Sequence, residues 1–459
     1  MLKRYIGDRA FYRRVLGVAV PILIQNGITN FVSLLDNIMV GQVGTLQMSG
    51  VSIVNGLMFV FNLCIFGACS GAGIFTAQFW GSGDDQGIRH TFRFKILISL
   101  LLSAAGIGIF LLGGRGLVDL YLQGEGDAAE AAQTLTFGLD YLHLMLFGLV
   151  PFALSNAYAS TLRETGQTVV PMVGGITAVF VNLIGNYILI FGHFGAPAMG
   201  VQGAALATVI SRYVELAIVA GWTHLNGKQN PFIRGAYRST YIPGTLLWNI
   251  VKKGMPLLIN EFLWASGMAV MNQCYSTCGL DVVPAMNISS TIYNLGSVAY
   301  FSFGCSVGII MGQMLGAGHP EGEIRDANRK LITVSVASGA FFGALMALTS
   351  GLFPQIYNTT TAVRHLAMQF ICVSAAMMPF NSYTHATYFT LRSGGQTVVT
   401  FLFDSFFVWT LCVPLAFCLS RFTAIPVLWL YIICQGTDFL KCFIGYFMLK
   451  KGKWIQNLT

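Results

Sequence analysis

The stretch Pro21–Gly44, PILIQNGITNFVSLLDNIMVGQVG, decides how the rest of the sequence is interpreted. It is long and apolar enough to cross a bilayer as a helix, since about 20 residues at a rise of about 1.5 Å each span the hydrocarbon core. Its polar residues recur every three or four positions and therefore predict one polar helix face. They are Gln25, Asn26, Thr29, Asn30, Ser33, Asp36 and Asn37.

Asp36 is the most costly residue of this face. A carboxylate at the bilayer centre is disfavoured by roughly 2.5–3.5 kcal/mol on insertion scales, and acids inside membrane helices are therefore kept mainly at ion or substrate sites. We predict a functional role for Asp36 on this ground. The amides and hydroxyls around it are explained equally well by hydrogen bonds to neighbouring helices.

The composition predicts an all-α polytopic membrane protein. The 459 residues are 55% hydrophobic and 10% charged, whereas a soluble domain carries about 25% charged residues. About twelve apolar segments follow one another along the chain, and each is long enough to span the lipid bilayer. The sequence therefore predicts about twelve transmembrane helices.

The net charge of +8 indicates membrane topology rather than nucleic-acid binding. The basic residues cluster in alternate gaps between apolar segments, and only Arg115, Arg364 and Arg421 fall in the other gaps. Because basic loops stay on the cytoplasmic side, this pattern predicts that both termini are cytoplasmic. It predicts a multi-pass protein of the plasma (inner) membrane.

The two halves of the chain repeat. TLRETGQTVV at 161–170 recurs as TLRSGGQTVV at 390–399, and QFWGSG at 78–83 corresponds to QMLGAG at 313–318. Matching loops on the same side of the membrane predict parallel repeats related by a pseudo-twofold axis along the membrane normal. We therefore predict two six-helix lobes joined by a polar cytoplasmic linker: an N-lobe at 1–223, the linker at 224–245 and a C-lobe at 246–459.

The first half contains a candidate cation site. Asn182 and Asn186 are four residues apart, so they lie on one helix face. Together with Asp36 and Thr208 they would form a set of hard oxygen ligands with a net charge of one negative unit. Asp36, Asn182 and Asn186 would suit a Na⁺ ion, or Asp36 would hold a proton. The alternative is that the two asparagines only link helices.

A second candidate group lies in the second half. Glu261 has no basic neighbour within one helical turn and is the second acid that we predict to function. Asn272 lies on the same helix face, and Asn287 and Asn381 are amides of later apolar segments. These four residues form the candidate C-lobe or substrate site.

Other charged residues inside apolar segments are interpreted as structural. Arg212 with Glu215 and Asp438 with Lys441 are each three residues apart, so both are predicted to be neutralised pairs on one helix. Asp404 lies near the cytoplasmic end of its segment, and we expect it to be hydrated.

With these motifs in place, the chain resembles the multidrug and toxic compound extrusion (MATE) transporter family. The resemblance covers nearly the whole length. It rests on LLDNIMVGQVG at 34–44, the two LRxxGQT loops, NLIGNYILIFGHFGAPAMGVQGAALAT at 182–208 and the two glutamine–glycine loops. It implies a two-lobed antiporter that exports organic cations, drugs and other amphipathic molecules, driven by inward flow of Na⁺ or H⁺.

The resemblance also assigns residues. The family's N-lobe ion site maps onto Asp36, Asn182, Asn186 and Thr208, and Glu261 matches an acid in the seventh segment of some members. Many bacterial members have an aspartate where this chain has Asn186, and some have a carboxylate where it has Asn381. These departures leave both Na⁺ and H⁺ open as the coupling ion.

Two other functions stay open. The first is a flippase for a lipid-linked or other amphiphilic substrate, which would favour cationic residues facing a cavity; few lie in the apolar segments. The second is a membrane enzyme, but the sequence contains no HExxH motif. We therefore expect no enzymatic activity, no cofactor beyond the transported ion, a monomer, and an amphipathic small molecule as substrate.

Overall fold

The computed structural model describes residues 5–122, 128–423 and 425–459, without the side chains of Leu34, Asn37 and Ala128. Asn37, part of the predicted polar face, thus lies outside the described side chains. Within the described ranges the chain is all-helical and has no strand. Its long helices are α1 (Arg9–Gly41), α2 (Thr45–Ser82), α3 (Asp85–Leu122), α4 (Ala128–Glu164), α5 (Val169–Phe191), α6 (Val201–Leu225), α7 (Gly244–Ser276), α8 (Val282–Gly316), α9 (Glu321–Thr349), α10 (Thr361–Ser393), α11 (Thr397–Phe422) and α12 (Val427–Lys451).

In the described part of the chain, 11 helices are long and apolar enough to cross a membrane. Helix α7 is not among them, because Lys252, Lys253, Asn260 and Glu261 make its composition more polar. Large apolar side chains such as Leu112 are exposed on the helix surfaces, as expected where lipid replaces water. The predicted all-α membrane protein with about twelve spanning helices is confirmed.

The first of two compact units comprises Ile24–Thr76 and Asp85–Ile250. Within it, α6 packs against both α4 and α5, and α3 packs against α4. Fully buried side chains such as Val54, Ile65 and Leu142 form its core. This packing holds α5 and α6 side by side and determines where their polar residues meet.

The polar stretch after α6 belongs to this first unit and lies on α3. It forms two short 3₁₀ helices, Pro231–Ile233 and Ala236–Arg238. Arg93 of α3 donates hydrogen bonds to the carbonyl oxygens of Ala236 at 2.7 Å and Gly235 at 2.9 Å. A basic side chain of α3 thus anchors the backbone of the stretch predicted to be a linker.

The second compact unit comprises the chain up to Leu23, Ala77–Asp84 and Val251–Thr459. Within it, α10 packs against α8, α9 and α12. One of its cores contains apolar residues from the start of α1 and from α8, α9 and α10. The predicted lobes at 1–223 and 246–459 and the linker between them stay a prediction.

The repeated glycine loops make a close helix contact inside the second unit. A Cβ atom added at Gly316 would lie 1.9 Å from the backbone oxygen of Gln78. One added at Gly81 would lie 1.9 Å from the backbone oxygen of Gln313. The two copies of the motif therefore lie against each other, and only glycine permits backbones to approach so closely.

We expect Gly316→Ala to destabilise the protein, because the new methyl group meets backbone that has no rotamer through which to move away. Overpacking of this kind costs about 1–3 kcal/mol. Gly116→Ala is the matched control, since nothing lies within 4 Å of its added Cβ and alanine favours a helix. Thermal unfolding in detergent would measure both variants, and equal midpoints would contradict the close-contact explanation.

Candidate functional site

Four residues of the predicted cation site meet on three helices of the first unit. Asp36 lies on α1, Asn182 and Asn186 lie one turn apart on α5, and Thr208 lies on α6. The Asn186 amide nitrogen donates to Asp36 Oδ1 at 2.8 Å. The Asn182 amide and the Thr208 hydroxyl oxygen are 3.0 Å apart. The structure brings these residues together, and their role in ion binding stays a prediction.

The Asn182 amide has two orientations of equal shape. With its nitrogen towards Asp36, it lies 3.0 Å from Oδ1 and 2.8 Å from Oδ2 and donates to the carboxylate, while its oxygen accepts from Thr208. With its oxygen towards Asp36, two acceptors face each other unless a proton or cation lies between them. The orientation of Asn182 therefore depends on whether Asp36 is a free carboxylate.

Asn186 supplies a further oxygen atom. The residue is 2% exposed, and its Oδ1 has no hydrogen-bond partner among the described residues. A carboxylate and amide oxygens are the ligands that hard cations prefer. In the described ranges, no group of three or more His, Cys, Asp and Glu residues is placed to hold a metal ion. The Asp36 cluster differs from such groups because amides supply most of its polar atoms.

A cavity of about 330 Å³ adjoins this cluster and is lined by five helices of the first unit. The lining residues of α4 are spaced three or four apart and form one helix face, as do those of α2. Among the lining residues, only Asp36 and Arg212 carry a formal charge. The lining residues are Ser33, Asp36, Val40, Val51, Asn55, Met58, Phe59, Asn62, Tyr141, Met145, Gly148, Leu149, Phe152, Asn186, Ala204, Thr208, Val209 and Arg212.

Sequence reasoning did not place Arg212 in this site. The predicted pair with Glu215 is confirmed, since Nη1 of Arg212 lies 3.8 Å from Oε2 of Glu215. Arg212 also lines the cavity and lies over the ring of Phe152, 4.6 Å from its centroid. The sequence contained a signal for this placement. Arg212 is one helical turn after Thr208, so the two side chains share a face of α6.

The candidate residues of the second half are dispersed. Glu261 is partly buried and lies within electrostatic range of Arg392. Asn381 is buried, whereas Asn272 and Asn287 are exposed. None of the described hydrogen bonds joins two of the four candidates. Their role in binding stays a prediction.

A polar network missed by the sequence analysis lies next to Glu261. Asp404 is not simply hydrated: Asn260 donates to its Oδ2 at 3.1 Å, and Lys441 donates to its Oδ1 at 3.3 Å. Asp438 and Lys441 interact electrostatically, as predicted, but the described ion pair of Lys441 is with Asp404, which the prediction did not include. A π-helical turn at Leu402–Phe406 carries Asp404, and the packing of α11 on α12 provides a closer partner than the same helix does.

Comparisons with known proteins agree with this architecture. The MatE family model matches residues 21–188 and 256–418. A probable multidrug resistance protein NorM of Thermotoga maritima is 22% identical over 96% of this chain and 93% of its own length. Another, from Oceanobacillus iheyensis, is 26% identical over 89% of each chain. A solved structure described as the outward-facing conformation of a multidrug resistance MATE family transporter of the MOP superfamily shares the fold, with a TM-score of 0.84 and 17% sequence identity. The match covers 98% of this chain and 97% of the other.

In the described ranges, eleven helices are long and apolar enough to cross a membrane, and a polar cavity lies among five of the helices, as expected for a polytopic membrane transporter. The match to the family model extends over both halves of the sequence and most of its length. The chain belongs to the MatE family. The resemblance drawn from its motifs is thereby confirmed.

Proposed function

We propose that the protein is an antiporter that couples inward movement of Na⁺ or H⁺ to export of organic cations, drugs and other amphipathic molecules. The main support is the meeting of Asp36 with Asn182, Asn186 and Thr208 beside a cavity. Relatives of the family that are named multidrug resistance proteins support the substrate class. No cofactor is needed beyond the transported ion.

The chemistry follows from the charge of Asp36. A proton or a Na⁺ ion neutralises the carboxylate, and the Asn182 amide then presents its oxygen. Release of the ion restores the carboxylate, and Asn182 presents its nitrogen. Ion and substrate are coupled if they favour different conformations of the protein, because each then shifts the same equilibrium in the opposite direction.

The proposal also specifies the assembly state of the protein, its membrane and the role of the second-half residues. The protein acts as a monomer in the plasma membrane, with both termini in the cytoplasm and no nucleic-acid partner. The candidate residues of the second half contribute to substrate binding or to a second ion site. They are Glu261, Asn272, Asn287 and Asn381.

The test is export of ethidium from proteoliposomes with Na⁺ and H⁺ gradients imposed separately. We expect at least one inward gradient to drive dye movement, and we expect no net movement when neither gradient is present. Protein-free liposomes are the control for leakage. The gradient that drives export identifies the coupling ion, since every other condition is held constant.

One result of these assays would contradict the antiporter proposal. If neither gradient moves ethidium while a fluorescent phospholipid changes leaflet in the same vesicles, the protein is a flippase and the antiporter proposal is wrong. The lipid assay is run on the same preparation, so loss of folding cannot imitate this result.

A further inference from the structure

A basic strap, residues 226–243, follows α6 in the first unit and contains the two short 3₁₀ helices. Three of its side chains are basic, and no acidic residue lies between Asn226 and Ile250. All three basic side chains are exposed. They are Lys228, Arg234 and Arg238. The sequence of the strap therefore supplies positive charge and nothing that neutralises it.

The backbone of the strap is fixed against α3. Arg89 donates to the carbonyl oxygen of Phe232 at 3.1 Å, and Arg93 donates to that of Tyr241 at 3.0 Å. The Phe232 side chain is buried and packs against Phe92, with the ring centroids 5.5 Å apart. The two arginines of α3 are thus occupied by carbonyl groups, and the strap forms a defined surface on that helix.

The basic side chains of the strap itself are not occupied in this way. None of the described hydrogen bonds or ion pairs involves the side chain of Lys228, Arg234 or Arg238. Asn230 and Ile233 are buried and form the inner side of the strap, so the exposed charges lie on its outer side. A guanidinium presents planar pairs of donors that match the oxygen atoms of a phosphate. The outer side of the strap therefore suits phosphate groups.

Exposed apolar side chains flank these charges. Leu225, immediately before the strap, is 88% exposed, and Trp248, just after it, is 65% exposed. Tyr237 and Tyr241 are exposed within the strap. Tryptophan and tyrosine are enriched where a bilayer meets water. Apolar side chains at both ends, with aromatic and basic side chains between them, indicate that the strap lies at the level of the lipid headgroups.

We propose that the strap binds the phosphate groups of anionic phospholipids. Lys228, Arg234 and Arg238 contact the phosphate oxygens, and Leu225 and Trp248 contact the start of the acyl chains. Each basic residue at an anionic membrane surface adds to the attraction. This inference goes beyond the proposed export function, because lipid binding requires neither an ion gradient nor a transported molecule.

The experiment is native mass spectrometry of the full-length protein in a neutral detergent. It measures the dissociation constant of the first bound phosphatidylglycerol, with phosphatidylcholine as the neutral comparison. We expect phosphatidylglycerol to bind at least about tenfold more tightly. Glycerol phosphate carries the same charged group without acyl chains, and we expect it not to displace the lipid. This arm separates a lipid site from a site for free phosphate.

Two triple variants test the position of the site. In the first, glutamine replaces the three basic residues of the strap, and we expect phosphatidylglycerol to bind at least about tenfold more weakly. In the control, glutamine replaces three exposed lysines near the end of the chain, which are Lys450, Lys451 and Lys453. The control should change binding by less than about threefold, because the first lipid occupies the tightest site and an ammonium group lacks the planar donors of arginine.

Lys228→Gln alone provides a second variant that leaves the fold intact, since its exposed side chain makes none of the described polar contacts. We expect it to weaken phosphatidylglycerol binding about fivefold. Thermal unfolding without lipid checks each variant, and the midpoints should equal that of the wild type.

The inference is overturned if the strap variant binds phosphatidylglycerol as the wild type does, or if both triple variants weaken it equally. It is also overturned if phosphatidylcholine binds as tightly or if glycerol phosphate displaces the lipid. Ion-driven export is not part of this measurement. Failure of the antiporter proposal would therefore leave the lipid site standing, and loss of the lipid site would leave the antiporter proposal unchanged.

Discussion

Asp36→Asn should abolish ion-driven export and leave the protein folded. The substitution keeps the size of the side chain and an oxygen that can accept the 2.8 Å hydrogen bond from Asn186. It removes the only negative charge among the described residues that line the cavity. An amide neither takes up a proton near neutral pH nor neutralises a bound cation, so the site loses its response to both candidate coupling ions.

The measurement is gradient-driven ethidium export in proteoliposomes, with thermal unfolding in detergent as the check on folding. We expect export to fall to the level of protein-free liposomes, with an unfolding midpoint no lower than that of the wild type. The midpoint is expected to hold because burying a carboxylate carries a desolvation penalty that an amide avoids, and the amide oxygen still accepts the hydrogen bond from Asn186.

Asp140→Asn is the matched control for this prediction. Asp140 lies on α4 and accepts a hydrogen bond from Gln202 at 3.2 Å in an exposed position. The chemical change is the same, but the residue does not line the cavity. Asp140→Asn should retain export. Full coupled transport by Asp36→Asn would contradict the mechanism, whatever the control shows.

The helices were predictable because their apolar segments are long, but their ends were not. Pro21–Gly44 predicted the first spanning helix, and α1 runs from Arg9 to Gly41. Helices α2 and α3 each contain 38 residues, well beyond the roughly 20 needed to cross the hydrocarbon. Hydropathy does not detect such extensions, because additional turns such as residues 85–93 of α3 are polar.

The cation cluster was predictable in part. The spacing of Asn182 and Asn186 places them on one helix face, and the cost of a carboxylate inside a membrane helix singled out Asp36. The resemblance to the family assigned these residues and Thr208 to one site. Periodicity alone does not determine which face of α5 meets α1. The structure supplies that information through the hydrogen bond from Asn186 to Asp36.

The network around Asp404 was not predictable by the same reasoning. Local spacing favoured Asp438 as the partner of Lys441, since residues three apart meet on a helix. In the structure Lys441 interacts with Asp438 but forms its closer ion pair with Asp404. A partner on another helix depends on packing and on the π-helical turn of α11, and no pattern within one segment encodes either.

Lys95 is a similar case with a consequence for stability. Its position close after Arg89 and Arg93 predicts a basic residue of a cytoplasmic loop. The structure instead buries its side chain completely on α3, where its ammonium group donates to Glu164 and, at 3.2 Å, to the hydroxyl of Thr161. Both partners belong to α4, so this ion pair fastens α3 to α4 inside the first unit.

Lys95→Met should destabilise the protein by about 3–5 kcal/mol, because it removes the buried ammonium group that pairs with the Glu164 carboxylate. The Glu164 side chain is 13% exposed, so water replaces the lost partner poorly. Lys95→Met combined with Glu164→Leu should recover much of the loss, since an apolar pair of similar volume removes both desolvation penalties. The unfolding midpoint in detergent measures all three proteins.

Lys330→Met provides the comparison for Lys95→Met. Lys330 pairs with Asp326 at 2.6 Å within one helix, but the two side chains are 22% and 41% exposed. Such partly exposed pairs contribute about 0–1 kcal/mol, so this variant should unfold close to the wild type. If Lys95→Met and Lys330→Met lower the midpoint equally, or if the double variant is no more stable than Lys95→Met, the buried pair does not fasten α3 to α4.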